Sequence, residues 1–299
     1  MSRIKSCFKS RFGSEGRIVQ VDFSQLEVIG VAYLSQDPLM YEDINNGIDS
    51  HSQSASWLTE HSYEEVLEGH LAGDKHLTQV RKNAKGPRFE LQYGAGAKSI
   101  GENNGISKEV AQGFIDQYYG RYSVLQQWQE DNISYVNNHT EGRKKWVETK
   151  DGGYWHHWIV GKLPSITGRV YTFKQFDTPD FIREKSGVLK NFSPTQVKNY
   201  PSQGFATGDV VPLMLGVSYR RIVGSDRFRD KALHIGTIHD SLLYDVHKDV
   251  HDEFCPGINK LMEQAPKYIE KVFGFKFDLP LKCETESGET WDTLKRVEL

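Results

Sequence analysis

Apolar and polar side chains alternate through residues 17–23 (RIVQVDF), a period of two that predicts a strand. A helix is expected to follow in SQLEVIGVAYLS, opened by Ser24 and Glu27 at capping-box separation. Residues 78–93 read as helix, and so do 107–137, where Ser107 stands at the N-cap and Val110, Phe114, Tyr118, Leu125 and Trp128 form one buried stripe. From 143 to 175 the pattern passes to strands and turns, with Asp151-Gly152-Gly153 as a hairpin turn between aromatic-rich runs. Residues 195–223 return to helix, and 234–247 (HIGTIHDSLLYDVH) form two short alternating runs that meet at His239-Asp240. An amphipathic stretch, 248–273, precedes a loop-like tail. Strands near both ends with helices between them predict an α+β fold.

Pro87 falls inside the helix expected over 78–93. Its missing N–H and its ring, set against the carbonyl of Asn83, predict a kink or a broken first turn, and Gly86 beside it adds flexibility.

Composition changes little of this. The chain has 299 residues, 37% of them hydrophobic and 26% charged, which is ordinary for a globular protein with a core of its own. No apolar run approaches the roughly 18 residues of a membrane span, and MSRIKSCFKSRF lacks a signal-peptide core, so a cytoplasmic protein is expected. Cys7, Cys255 and Cys283 are odd in number and widely spaced, which supports neither a disulfide framework nor a zinc site. The net charge of −3 carries no nucleic-acid signal, so any such role must rest on local patches such as Arg81 to Arg88 and Arg143–Lys145.

Three constellations carry candidate chemistry. Asp22 ends the first strand, in VDFSQLE, and Asp240 sits at a hairpin tip, in IHDS. Carboxylates on two rigid strands can share divalent cations about 4 Å apart for in-line phosphoryl displacement; each alone also reads as a cap or a surface residue. Between them Arg81, Lys85, Phe89 and Tyr93 recur at intervals of four, along one helix face. Two cations followed by two aromatics suit a triphosphate at one end and a base at the other. A solvated basic turn followed by a buried aromatic turn is the plainer account. His156-His157 reads as exposed hairpin rather than as a ligand pair.

Together these segments resemble the three signature motifs of the family A DNA polymerases, the bacterial DNA polymerase I group. DFSQLE resembles the first, RKNAKGPRFELQYG the fingers-helix motif and IHDS the last. DSHSQSA (49–55), SKEVAQGFIDQYYGRY (107–122), NYPSQG (199–204) and LPLKCETESGETWD (279–292) extend the resemblance over most of the chain. It implies a right-hand palm with an antiparallel sheet over 1–40 and 195–299, and mostly helical fingers over 41–194 with a strand-rich insert at about 143–175. It implies that Asp22 and Asp240, with the carbonyl of Phe23, bind two Mg²⁺ for template-directed addition of deoxynucleoside triphosphates to a primer. Gln25, Glu27, His51, Arg81, Lys85, Phe89 and Tyr93 would meet the nucleotide, with Lys85 protonating pyrophosphate and Glu27 acting with Tyr93 against a ribose 2′-hydroxyl. Phe at position 89 is associated in the family with discrimination against dideoxynucleotides. Asn199, Gln203 and His239 would contact primer–template.

The sequence also departs from the family. Ser241 stands where an acidic residue usually follows the catalytic aspartate, Ile29 where Arg is common, and Thr195 where Arg often begins the Asn-Gln segment. The exonuclease-like region, the thumb and the first palm strands have no counterpart before DFSQLE. The expectation is therefore either a split polymerase of phage type whose second polypeptide carries those regions, the reading favoured here, or a fragment of a longer polymerase. Alternatives are a relative of the single-subunit RNA polymerases, which His-Asp-Ser at 239–241 also resembles, and a non-catalytic DNA-binding remnant.

Overall fold

The computed structural model describes residues 4–299, so the first three positions of the expected 1–40 segment lie outside it. Strand β1 (Gly16–Phe23) and helix α1 (Leu26–Ser35) lead into α2 (Pro38–Asn45), α3 (Ser50–Leu58), α4 (Tyr63–Leu71), α5 (Lys75–Asn83), α6 (Lys85–Gln92), α7 (Ala97–Asn104), α8 (Lys108–Arg121) and α9 (Ser123–Asn138). Strands β2 (Thr140–Thr149), β3 (Gly152–Pro164), β4 (Val170–Lys174) and β5 (Phe176–Asp177), helix α10 (Asp180–Ser186) and strand β6 (Lys190–Asn191) follow. Helices α11 (Pro194–Phe205) and α12 (Val211–Ser218), each continued by a π turn, precede β7 (Ala232–Ile238) and β8 (Ser241–His247). Helices α13 (Lys248–Met262) and α14 (Ala265–Phe273) and strands β9 (Cys283–Gly288) and β10 (Lys295–Arg296) close the chain.

The chain divides into two compact units, one made of residues 1–33 with 203–299 and the other of 34–202. The first is built on an antiparallel sheet in the order β10-β9-β1-β8-β7. Ile18, Val19, Val21 and Phe23 of β1 and Leu242, Tyr244 and Val246 of β8 are buried, and α13 crosses β1, β8 and β9 with Phe254, Ile258 and Met262 in the core. At about 1.5–3 kcal/mol per fully buried large apolar side chain, this packing dominates the stability of the unit. The hydroxyl of Tyr244 donates to Ser218 Oγ at 2.8 Å, so its one polar atom is paired in the core.

The expected loop-like tail is incorrect: β9 and β10 belong to the sheet, and β9 lies along β1 with Asp22 opposite Glu284. The run CETESG has no alternating apolar face and becomes a strand only because β1 offers it an open edge. The expected capping box is also displaced. Helix α1 opens at Leu26, Gln25 takes a left-handed φ of 58°, and the amide of Ser24 donates to the carbonyl of Lys282 at 2.8 Å. Ser24 and Glu27 therefore do not stand at the N-cap and third-residue positions of that helix.

The second unit holds helices α2 to α9 and the small sheet β2-β3-β4. Ser107 caps α8 as expected, its Oγ accepting from the amide of Val110 at 3.2 Å. The helix expected over 107–137 is two helices, broken at Tyr122 (φ −109°, ψ 61°), and Val110 is 42% exposed rather than part of the buried stripe. The cause is tertiary. The Tyr122 hydroxyl lies 2.6 Å from the buried carboxylate of Asp43, which Arg121 also grips, and the Asp37 carboxylate accepts from the amide of Leu125 in the first turn of α9. A remote side chain thus fills the capping role. The stretch 248–273 is likewise divided, at Glu263-Gln264.

The break expected from Pro87 is present. Helix ends α5 and α6 meet at Ala84, three residues before the proline, where the carbonyl of Asn83 has lost its i+4 donor.

Candidate functional site

In the first unit β1 delivers Asp22 to the centre of the sheet, opposite Ser241 on β8 and Glu284 on β9. Asp240 precedes β8 in the two-residue turn after β7, where His239 adopts a left-handed φ of 52°. The buried Ser241 fixes that turn by donating its hydroxyl to the carbonyl of Ile238 at 2.8 Å. The amide of Phe23 faces the carbonyl of Asp240 at 3.4 Å, so the ends of the two strands are tied together. Burial, then the charge of Asp240 and a hydrogen bond between the two carboxyls, then Glu286 and Glu284, push the Asp22 carboxyl up to about 7. Burial first, then Glu263, Asp22 and Asp240, also raise the Cys283 thiol.

Two mutually repelling carboxyls on neighbouring strands fit a divalent cation, which would remove the repulsion that raises Asp22. Among the described residues no group of three or more His, Cys, Asp and Glu is placed to hold a metal. A pair of carboxylates could hold a divalent cation such as Mg²⁺, which takes one or two carboxylates and completes its shell with water and phosphate. Glu284 and Glu286, which alter this electrostatic setting, were not among the residues singled out in the sequence. They fall inside the segment 279–292, whose resemblance to the family's C-terminal end gave them no role of their own.

In the second unit Arg81 lies in the last turn of α5 and Lys85 opens α6, followed on α6 by Phe89 and at its C-cap by Tyr93. Lys85 is exposed, and Phe89 is 39% exposed despite its apolar ring. The rings of Phe89 and Tyr93 are stacked at 6.4 Å and 28°, and His51 on α3 lies 6.0 Å from Phe89. The series spaced by four in sequence is therefore gathered with His51 on one surface of this unit. Arg88, its neighbour in sequence, turns inward, donating to Ser54 Oγ at 3.2 Å.

Asp49, a residue not singled out for a role of its own, organises this surface. It caps α3 by accepting from the amides of His51 (3.0 Å) and Ser52 (2.7 Å), and it receives Nε (3.2 Å) and Nη2 (2.5 Å) of Arg81. Burial alone would raise its carboxyl, but the hydrogen bonds of Arg81 and Ser52 and the Arg81 charge outweigh this and hold it at about 2. Burial, then Lys85, Arg88 and Arg81, depress His51 to about 4 against the pull of Asp49, so its ring is neutral near pH 7. Its Nδ1 is buried without a hydrogen-bond partner.

These two shifts predict how the fold responds to acid. Both groups have depressed folded-state values, so each stabilises the fold above its unfolded value and loses that contribution as pH falls through the folded one. His51 acts from about 6.5 to 4 and Asp49 from about 4 to 2. Urea titrations should show His51→Gln losing less stability than the parent between pH 6.5 and 4, by about 2 kcal/mol after solvent screening. Parallel curves would contradict the burial argument.

Asn199 and Gln203 are half-buried on α11, four residues apart. Gln25 and Glu27 lie at the entry to α1. His156 and His157 are exposed on the β2–β3 hairpin, as expected for hairpin residues.

A model of DNA polymerase family A matches residues 1–293. DNA polymerase I of Pseudomonas aeruginosa is 25% identical over 291 residues, covering 97% of this chain and 26% of that protein. The DNA polymerase of Bacillus phage SP01 is 26% identical over 294 residues, covering 96% of this chain and 27% of that protein. The POL domain of Pol1 from M. smegmatis, solved in complex with DNA primer-template and dNTP, has a similar fold: its TM-score is 0.65 at 21% identity, over 98% of this chain and 42% of that one. The chain spans about a quarter of the length of the curated relatives it matches. Among the described residues no helix is long and apolar enough to cross a membrane.

Proposed function

The chain belongs to DNA polymerase family A, and from that premise we propose that it carries the nucleotidyl-transfer centre of a template-directed DNA polymerase, which adds deoxynucleoside triphosphates to a primer 3′ end. The observation that carries this reading is the Asp22–Asp240 pair, two carboxyls held against each other at the ends of adjoining strands. In this reading the first compact unit serves as palm and the second as fingers.

Asp22 and Asp240, with the carbonyl of Phe23, would hold two Mg²⁺. The ions would supply a primer hydroxyl of lowered pKa and charge neutralisation at the leaving pyrophosphate. The chain's own groups position and neutralise. Arg81 presents its guanidinium in an orientation fixed by Asp49 and binds phosphate oxygens. Lys85 Nζ neutralises the triphosphate and gives a proton to a leaving pyrophosphate oxygen. His51, neutral in the free chain because of its burial and its cationic neighbours, gains basicity when a polyanion offsets Lys85 and Arg81. Phe89 packs on the nucleotide's sugar and base, Tyr93 stacks near the templating position, and Gln25 and Glu27 line the nucleotide. Asn199, Gln203 and His239 contact primer–template.

Glu27 discriminates against ribose. Glu27→Ala should raise the ratio of ribonucleotide to deoxynucleotide incorporation by about tenfold or more, because the side chain that, with Tyr93, fills the space a 2′-hydroxyl needs is gone. An unchanged ratio leaves Glu27 as a residue of the α1 entry alone, and a parent that prefers ribonucleotides would favour the RNA polymerase reading suggested by His239-Asp240-Ser241.

The net charge of −3 is low for a surface that must grip duplex phosphates by itself. We therefore infer that a companion region of basic surface, thumb-like in role, completes the grip on the duplex. Primer extension by the chain, alone and with such a companion, tests the whole reading. Weak extension alone and template-dependent synthesis on reconstitution are expected; no synthesis in either arrangement would sink it.

A further inference from the structure

The strand-rich insert is unlike the rest of the chain in charge and ring content. Residues 143–175 hold seven Lys and Arg against two Asp and Glu, in a chain with totals of 37 and 40, and three of the six tryptophans fall between 146 and 158. Register decides how they are displayed. Arg143 pairs with Trp158, Lys145 with His156 and Val147 with Tyr154, while Val160 pairs with Lys174 on β4. Directly paired residues, and residues two positions along a strand, share a face. Tyr154, His156 and Trp158 therefore form a row along β3, with Arg143 and Lys145 on one side of it and Lys174 near its end on the other.

The contacts agree with that assignment. His156 stacks on Trp158 at 5.4 Å and 27°, and Lys174 Nζ lies 5.5 Å from the Trp158 ring. Glu141, the acid on this face, is engaged by Arg143 at 3.1 Å and by Lys162. The opposite face is the one that packs at its base. A side chain at Gly161 would collide with Val136 and Phe192, and Leu163, Tyr171 and Phe173 join those two and Val197 in a buried cluster. The ring row looks outward, with Tyr154 54% exposed and His156, Arg143 and Lys145 exposed beside it.

Large rings held toward water cost solvation free energy that the packing of this unit does not recover. A row of π faces flanked by cations complements a chain of unpaired bases on a phosphate backbone, because every base has a face to stack and every link a charge to neutralise. A duplex stacks its bases on one another and would use the cations alone. We propose that this face of the β2–β3–β4 sheet binds single-stranded nucleic acid, with bases on Tyr154, His156 and Trp158 and phosphates along Arg143, Lys145 and Lys174. This binding is separate from nucleotide transfer and does not depend on that reading.

The test is fluorescence anisotropy of the full chain with labelled oligothymidylate, oligouridylate and a duplex of equal length, over a series of salt concentrations. The variant Y154A/H156A/W158A should bind single strands at least about tenfold more weakly, with a much smaller effect on duplex. The variant R143Q/K145Q/K174Q changes exposed charges only and should lower the slope of log affinity on log salt by about 2, near 0.7 for each phosphate that is no longer neutralised. Comparing oligothymidylate with oligouridylate identifies which sugar the strand carries, and a preference for either supports the site. Asp240→Asn should leave this binding unchanged, so loss of synthesis and loss of strand binding are separable. Parent-like affinity in both hairpin variants, an equal loss for duplex, or sedimentation showing that the ring row joins two copies of the chain would overturn the proposal.

Discussion

Asp240→Asn is expected to remove template-directed synthesis, lowering kcat/KM by at least about three orders of magnitude while the chain stays folded. The carboxylate contributes half of a charged pair, and loss of several kcal/mol of transition-state stabilisation at about 1.4 kcal/mol per decade accounts for the size of the effect. Stability should not fall with it. Asp240 sits in a turn held by Ser241 and by the β7–β8 pairing, and its charge repels the raised carboxyl of Asp22. Primer extension together with urea unfolding followed by circular dichroism measures both quantities. Surviving synthesis would show the metal assignment to be wrong; synthesis lost together with the fold would show that Asp240 serves the hairpin instead.

Lys85→Ala is the second large effect. A proton donor of this kind contributes about 10²–10⁴ in rate, and neutralising a phosphate contributes to binding as well. The expected result is a fall in kcat of at least about a hundredfold together with a raised KM for the deoxynucleotide. Lys85→Arg separates the two roles. It keeps the charge but holds its proton far more tightly, so KM should recover and kcat should not. If Arg restores both, Lys85 acts as a charge alone. Lys85 suits this test because it is exposed at the start of α6, beside the break imposed by Pro87. Arg81→Ala would be a poorer probe, since it also leaves the Asp49 carboxylate without its bidentate partner.

Elements whose partners lie close in the chain were legible from the sequence. The β7–β8 hairpin needs only two alternating runs and a two-residue turn, and the N-cap of α8 needs only Ser107 three residues before Val110. The i,i+4 series through Arg81, Lys85, Phe89 and Tyr93 was visible for the same reason, as was the disturbance at Pro87. The motif resemblance added Asp22 and Asp240, which spacing alone could not distinguish from caps.

Elements set by distant partners were not legible. Ser24 looked like a helix cap because its spacing to Glu27 is local information, but its amide is claimed by Lys282 at the far end of the chain. Tyr122 interrupts a sequence with helical periodicity because Asp43 holds its hydroxyl and the Asp37 carboxylate accepts from the Leu125 amide, which a continuous helix would have paired internally. The polar run 283–288 carries no strand pattern of its own and is ordered by the edge of β1.

By itself, then, the sequence determined the local elements, the order of the motifs and the chemical types gathered in them, since propensity, capping and periodicity act over a few residues. Only the tertiary structure decided their surroundings. It laid β9 beside β1 so that Glu284 and Glu286 join Asp240 in raising Asp22, and it set Asp49 under Arg81 so that a mobile guanidinium acquires a fixed direction. Charge interactions and desolvation depend on distance through space, and the chain cannot express them until its sheets and helices have closed.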